Sequence, residues 1–99
     1  MIRVLVADDQ ALVRGTIRLL VDTAPDLEVV GEAATGAEAV EIAVQCQPDV
    51  LLMDIRMPGM DGIEATRQIT KAEPTAGVRA RMPRHLVISC RPPQAPPRT

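Results

Sequence analysis

A doubly wound α/β fold with a parallel sheet is predicted by three features of this 99-residue sequence. Short apolar stretches alternate with segments whose apolar residues recur at helical spacing, which is the pattern of strand-helix-strand units. Two of the apolar stretches run directly into acidic residues without polar alternation, as expected of strands buried on both faces. A proline follows each helical segment. We therefore expect about three consecutive strand-helix units around one sheet.

The first of these units occupies residues 2–25. Residues 2–7 are mostly apolar and rich in β-branched side chains, and Asp8 and Asp9 follow them directly. From Gln10 the period changes to that of a helix, which Pro25 ends. The predicted buried face of this helix consists of Val13, Ile17, Leu20 and Val21.

The second unit begins with a partly exposed strand at residues 27–33. Thr35 and Glu38 then have the spacing of a capping box, so a helix should begin there. Its predicted apolar face includes Val40, Ala43 and Val44, and it should end before Pro48.

The third unit starts with the clearest buried strand, residues 50–53, which ends in Asp54. Residues 55–62 form a predicted loop because they contain Pro-Gly and Asp-Gly pairs. Asp61 is placed to cap a third helix, with Glu64 three residues later as its partner. The predicted buried face of that helix consists of Ile63, Thr66 and Ile69.

The chain divides into two compositions near residue 75. Residues 1–75 hold all 13 acidic residues, whereas residues 76–99 hold no acid, five arginines and five of the nine prolines. We therefore expect one domain at 1–75 and an extended or disordered Arg/Pro-rich tail at 76–99. Within this tail, the apolar residues 86–88 are the candidate for a short fourth strand. The chain has no aromatic residue on which bases could stack and no apolar stretch long enough for a membrane span, and we expect it to be cytoplasmic.

Asp8, Asp9 and Asp54 lie at the ends of the first and third strands. If these strands are neighbours, the carboxylates converge, because the carboxyl ends of parallel strands meet at one edge of the sheet. Repulsion between them favours a bound cation, and oxygen-only ligands favour Mg²⁺ or Mn²⁺. A carboxylate beside such an ion is also suited to accept a phosphoryl group.

The strand that ends in Asp8-Asp9, the segment at 49–54 and the Met-Pro-Gly-Met-Asp-Gly segment at 57–62 together resemble the receiver domain of two-component response regulators. Further detail, including residues 10–14 and 29–33, is similar to the NarL/FixJ (LuxR-type) subfamily. The resemblance implies a flavodoxin-like sheet in the order 2-1-3-4-5. It covers residues 1 to about 75.

The resemblance also implies roles for individual residues. Asp54 would accept a phosphoryl group from a sensor histidine kinase, in self-catalysed transfer rather than conventional turnover. Asp9 and Asp54 would bind Mg²⁺ directly and Asp8 through a water molecule. The backbone carbonyl of Arg56 would be a further ligand, in a loop shaped by Pro58 and Gly59.

Several family features have no counterpart in the sequence. Strands four and five, helices four and five and a DNA-binding domain are missing, so we expect no DNA binding by this chain itself. The family's switch Ser/Thr and Lys are not identifiable, since Lys71 lies in the third helix and Ser89 arrives late. We assign His85 no role, and we expect the strand at 50–53 to be an exposed edge.

Three interpretations follow. In the first, the chain is a phosphoaccepting signalling module of a parent transcriptional regulator, and partner proteins recognise its phosphorylated state. In the second, it is an interaction fragment that pairs with other receivers or a kinase without being phosphorylated, or a pseudogene product. The composition after about residue 77, which is typical of truncation or a frameshift, favours this second interpretation. In the third, it is an Asp-nucleophile phosphatase, which Arg56 disfavours because it occupies the place of the second acid.

Overall fold

The computed structural model of the protein describes residues 1–72, 77–81 and 85–90. These ranges contain eight elements in the order β1 (Ile2–Ala7), α1 (Ala11–Asp22), β2 (Leu27–Ala33), α2 (Gly36–Cys46), β3 (Val50–Asp54), α3 (Gly62–Ala72), β4 (Gly77–Arg81) and β5 (His85–Ser89). All the strands belong to one sheet in the order β2-β1-β3-β5-β4. The three strand-helix units predicted from the sequence are thus confirmed.

The parallel half of the sheet is centred on β1, which pairs with β2 on one side and β3 on the other. Ala7, the last residue of β1, lies opposite both Ala33 in β2 and Met53 in β3. Strands β1 and β3 therefore end at the same level of the sheet. This register places Asp8, which follows β1, and Asp54, which ends β3, at one edge of the sheet, as predicted.

The antiparallel half of the sheet is formed by residues that we expected to belong to an extended or disordered tail. Strands β4 and β5 form an antiparallel hairpin, and β5 pairs antiparallel with β3. Family-type parallel strands four and five and their helices are absent from the described residues, but 77–81 and 85–89 are strands rather than disordered chain. The remainder of the predicted tail, including residues 91–99, lies outside the described part of the chain.

Strand β3 is consequently not the exposed edge that we predicted. Its backbone groups pair with β5, whose apolar side chains Leu86 and Ile88 are buried. If this edge of β3 were unpaired, its backbone N–H and C=O groups would lack partners in the sheet and apolar surface would be exposed to water. Pairing with residues 85–89 satisfies the backbone groups and buries the apolar surface.

The core lies on both faces of the sheet. Alternate residues of β1 separate the two layers: Leu5 and Ala7 belong to the larger cluster with residues of α2 and α3, and Val4 and Val6 to the smaller cluster with Val21 of α1. This arrangement is the doubly wound packing that the sequence predicts. No helix in the described ranges is both long enough and apolar enough to cross a membrane.

The helix caps match the prediction, but the predicted helix faces are partly wrong. The Glu38 backbone N–H donates to the Thr35 hydroxyl at 3.1 Å, and the Glu64 N–H donates to the Asp61 carboxylate at 2.9 Å. Three residues assigned to buried faces are instead more than half exposed, namely Leu20, Val44 and Ile63. Alanines 39, 43 and 65 are buried in α2 and α3, because small side chains let these helices approach closely.

Candidate functional site

Two buried carboxylates meet at the carboxyl end of the parallel strands. Asp8 directly follows β1 and Asp54 is the last residue of β3, and their side chains are 1% and 0% exposed. Buried carboxylates are rare in proteins unless they are paired, hydrogen-bonded or bound to a metal. The arrangement therefore marks this edge of the sheet as the candidate site.

Asp8 is held by contacts on both its backbone and its side chain. Its carboxylate Oδ1 accepts a hydrogen bond from the Gln10 backbone N–H at 2.8 Å, which turns the chain from β1 into α1. Its backbone carbonyl accepts from Nη1 of Arg14 at 2.7 Å. Arg14 also forms an ion pair with Glu32 in β2 at 3.3 Å. These contacts connect Asp8 to α1 and, through Arg14, to β2.

His85 contacts the second carboxylate oxygen of Asp8, at 2.9 Å between Nε2 and Oδ2. The antiparallel register of β3 and β5 causes this contact, because it places His85 opposite Asp54. One ligand atom from each of Asp8, Asp54 and His85 lies within 4.8 Å of the others. We expected His85 to lie in the tail and assigned it no role, but the structure places its side chain beside Asp8 and Asp54. Its place before an apolar run was the one signal available from sequence.

Asp54 is oriented by the loop that follows it. The Arg56 backbone N–H donates to its Oδ1 at 3.1 Å. The Gly62 N–H donates to the carbonyl of Ile55 at 2.9 Å, and this closes the loop onto the start of α3. A Cβ on Gly62 would lie 2.0 Å from the Asp54 carbonyl oxygen, so only glycine fits there. The α3 helix thereby fixes the backbone of Asp54.

The remaining predicted site residues are placed as follows. Asp9 is exposed and is not part of the group formed by Asp8, Asp54 and His85. Gly59 has a φ of 74°, a backbone conformation that suits glycine, in agreement with the predicted turn after Pro58. That the backbone carbonyl of Arg56 binds a metal ion stays a prediction.

Neither residue considered for the missing switch positions lies at the acidic edge. Ser89 pairs with Val50, at the opposite end of β3 from Asp54. Lys71 is exposed in the last turn of α3. The side chain that β5 brings to the acidic edge is the His85 imidazole.

The donor set fits a divalent cation. Two carboxylates suit a hard ion such as Mg²⁺, and Asp8 and Asp54 are the side chains that would hold it. The imidazole of His85 adds a nitrogen donor that an all-oxygen magnesium site does not need. The group of three side chains is therefore chemically able to bind a dication and to hold a carboxylate for nucleophilic attack.

Comparison with known proteins gives a consistent result. A family model for the response regulator receiver domain matches residues 4–81. The transcriptional regulatory protein LiaR from Bacillus subtilis (strain 168) is 54% identical over 71 residues, which are 72% of this chain and 34% of LiaR. This chain thus spans about a third of the length of that curated relative.

Two solved structures show the same fold. The response regulator domain of Thermotoga maritima CheB is 50% identical with a TM-score of 0.73, covering 75% of this chain and 55% of that chain. The signal receiver domain of NarL from Mycobacterium tuberculosis is 40% identical with a TM-score of 0.70, covering 73% of this chain and 58% of that chain. The residues that match the family model end at 81, so His85 lies beyond them.

Proposed function

Because the chain belongs to the response regulator receiver domain family, we propose that it is a phosphoacceptor module of a two-component system. Asp54 accepts a phosphoryl group from the phosphohistidine of a sensor kinase, in a reaction that requires Mg²⁺ or Mn²⁺. The observation that carries the proposal is the buried pair of Asp8 and Asp54 at the end of β1 and β3. We further propose a transcriptional regulator as the parent protein, since LiaR is described as one.

The proposed chemistry is a phosphoryl transfer between two side chains. A carboxylate oxygen of Asp54 attacks phosphorus, the phosphorus–nitrogen bond breaks, and the kinase histidine keeps the electron pair and takes up a proton. The Arg56 N–H, 3.1 Å from Oδ1, holds the carboxylate in orientation. A bound dication would neutralise the negative charge on the phosphoryl oxygens.

The proposed metal ligands are the ones that the resemblance implies. They are the carboxylates of Asp8, Asp9 and Asp54 and the backbone carbonyl of Arg56. Of these, Asp8 and Asp54 are the two that lie together and are buried, whereas Asp9 is exposed directly after Asp8. Pro58 and Gly59 shape the loop that would position the carbonyl, and the φ of 74° at Gly59 supports that part.

One observation favours a second candidate function. The Asp54 side chain is 0% exposed, so a phosphoryl donor reaches it only if the site opens. His85, whose side chain is 20% exposed, is the most accessible member of the group and would have to move. A chain in which this opening does not occur would act as an interaction module that binds a kinase or another receiver without being phosphorylated.

The two candidates are separated by incubating the full chain with Mg²⁺ and a small acyl phosphate donor and measuring its intact mass. Phosphorylation on Asp54 gives an added phosphoryl group that hydroxylamine removes. Asp54→Asn should abolish this adduct. Asp26→Asn, an exposed acid at the other end of β1, is the matched control and should retain it. An unmodified wild-type mass at saturating donor would support the interaction module instead.

The proposed partners are a sensor histidine kinase and a second receiver. Chromatography with light scattering, with and without the phosphoryl donor, tests for a receiver dimer. We also propose a cytoplasmic location, because the kinase obtains its phosphoryl group from ATP. Fractionation of cells that express the chain checks this location.

A further inference from the structure

We propose that Asp8, Asp54 and His85 form a binding site for a first-row transition-metal dication, in which the imidazole supplies a nitrogen ligand and makes the site prefer such an ion to Mg²⁺. The inference shares the acidic pair with the proposed function but does not depend on phosphoryl transfer. It assigns a role to His85, which lies beyond the residues that match the receiver family model.

Three separate strands supply the three ligands. Asp8 follows β1, Asp54 ends β3 and His85 begins β5. The register between β3 and β5 places His85 directly opposite Asp54, while the register between β1 and β3 brings Asp8 beside them. Ligands fixed by a hydrogen-bonded sheet are held in place before an ion arrives, which reduces the entropic cost of binding.

The distances suit a small dication. Nε2 of His85 and Oδ2 of Asp8 are 2.9 Å apart. Two ligand atoms that each lie about 2.1 Å from one ion at right angles are about 3.0 Å apart, and on opposite sides about 4.2 Å apart. One ligand atom from each of the three residues lies within 4.8 Å of the others, so a small inward movement would bring all three atoms within bonding distance of one ion.

The charge of the group also favours a dication. The carboxylates of Asp8 and Asp54 are 1% and 0% exposed, and two negative charges so close together in a buried site repel each other. A dication neutralises both. The His85 side chain is 20% exposed, so water can reach the site and fill the remaining coordination positions.

The imidazole determines which dication binds best. Mg²⁺ prefers oxygen ligands and keeps several water molecules, whereas affinity for mixed nitrogen and oxygen sites rises from Mn²⁺ through Co²⁺ and Ni²⁺ to Cu²⁺. Zn²⁺ also binds imidazole and carboxylate readily. We therefore expect Zn²⁺ to bind at least about tenfold more tightly than Mg²⁺, with His85 responsible for most of the difference.

Metal binding replaces the present contact between His85 and Asp8. The ion takes the position next to Nε2, and the neutral ring then carries its hydrogen on Nδ1. Because His85 is the sole histidine in the sequence, its two ring nitrogens give the only imidazole signals in a ¹⁵N spectrum of the untagged chain. These signals report directly which nitrogen is metal-bound.

The test is a titration of the full, untagged, ¹⁵N-labelled chain with Zn²⁺ and, separately, with Mg²⁺. Zn²⁺ should shift the Nε2 signal of His85 and the amide of Arg56 together, with an apparent dissociation constant at least about tenfold lower than that for Mg²⁺. A Cys46→Ser and Cys90→Ser double variant should behave in the same way. The site would be rejected if Zn²⁺ left the imidazole signals unchanged, or if the double variant lost the Zn²⁺ response.

A variant at the histidine tests the selectivity. His85→Asn keeps a polar side chain on β5 and should weaken Zn²⁺ binding about tenfold or more while changing Mg²⁺ binding little. An unchanged ratio of the two affinities in a folded variant would contradict the proposal. If the variant does not fold, the wild-type imidazole signals still decide.

Failure of this inference and failure of the proposed function give different results. A chain whose imidazole ignores Zn²⁺ but whose Asp54 is phosphorylated refutes the transition-metal site alone. A chain that binds Zn²⁺ through His85 but is never phosphorylated refutes phosphoacceptor function alone.

Discussion

Replacing Gly62 by alanine should destabilise the protein and disturb the site together. A Cβ at this position would lie 2.0 Å from the carbonyl oxygen of Asp54 and 2.8 Å from its carbonyl carbon. Ordinary contacts of a Cβ begin at 3.4 Å, so the oxygen and the new methyl group must separate by about 1.4 Å. Both atoms are attached to backbone, and neither can rotate away.

The magnitude follows from the atoms that would have to move. Overpacking a well-packed interior typically costs about 1–3 kcal/mol, and a clash between backbone atoms lies at or above the upper end of that range. A chain of this size has a total free energy of unfolding of about 5–15 kcal/mol. We therefore expect Gly62→Ala to lower the free energy of unfolding by about 3 kcal/mol or more.

Gly15→Ala is a matched control for this substitution. Gly15 lies in the middle of α1, and a Cβ there would meet no atom within 4 Å. Alanine is favoured over glycine in a helix interior by about 1 kcal/mol, so this variant should be more stable than the wild type. The same chemical change is thus expected to have opposite effects at the two positions.

Urea denaturation followed by far-ultraviolet circular dichroism measures both variants, because the chain has no tryptophan for fluorescence. A displaced Asp54 carbonyl should also weaken the Mg²⁺ response of the Arg56 amide in the Gly62 variant, measured below the unfolding transition. The reasoning would be refuted if Gly62→Ala were as stable as Gly15→Ala, since the α3 start would then not be packed against Asp54.

Three further changes test the hairpin, a helix cap and the acidic pair. Ile88→Ala should lower the free energy of unfolding by about 2–5 kcal/mol, because Ile88 is fully buried. The control Val44→Ala, at a half-exposed position, should change it by less than about 0.5 kcal/mol. Equal effects of the two substitutions in urea denaturation would mean that β5 does not pack on the core. Thr35→Ala should cost about 1 kcal/mol through loss of the α2 cap, while Thr70→Ala in α3 should be nearly neutral, and thermal melts compare the two. Asp54→Asn should raise the melting temperature in the presence of EDTA, because it removes one of two neighbouring buried charges. It should also reduce the increase in melting temperature that added metal gives. A lower melting temperature of the variant in EDTA would argue against repulsion between Asp8 and Asp54.

Much of the fold follows from local sequence. The buried runs that end in Asp8 and Asp54 predict β1 and β3, because an apolar strand without alternation needs cover on both faces. The caps at Thr35 and Asp61 predict where α2 and α3 begin, since a side-chain acceptor three residues before a helical N–H is a local arrangement. The order of the first three strands is what the resemblance to the receiver domain implies, and the acidic edge follows once β1 and β3 are neighbours in that order.

Local patterns were less successful for the helix surfaces. Helical spacing identifies which apolar residues share a face, but it does not fix how closely the helix approaches the sheet. Leu20 and Ile63 share a face with buried residues and are nevertheless more than half exposed. Ala39 and Ala65 are fully buried instead, because the contact between helix and sheet is close enough for small side chains to fill it.

The sequence by itself determined the strand-helix units, the helix caps and the presence of acids at one end of the parallel strands. Tertiary structure decided which acid is buried, what covers β3 and what joins the acidic edge. The contact between His85 and Asp8 spans 77 positions and depends on the antiparallel register of β5 against β3. No periodicity within a segment encodes that register, because it is set by the pairing of β5 with the side of β3 that faces away from β1 and by the apolar surface that Leu86 and Ile88 bury against the core.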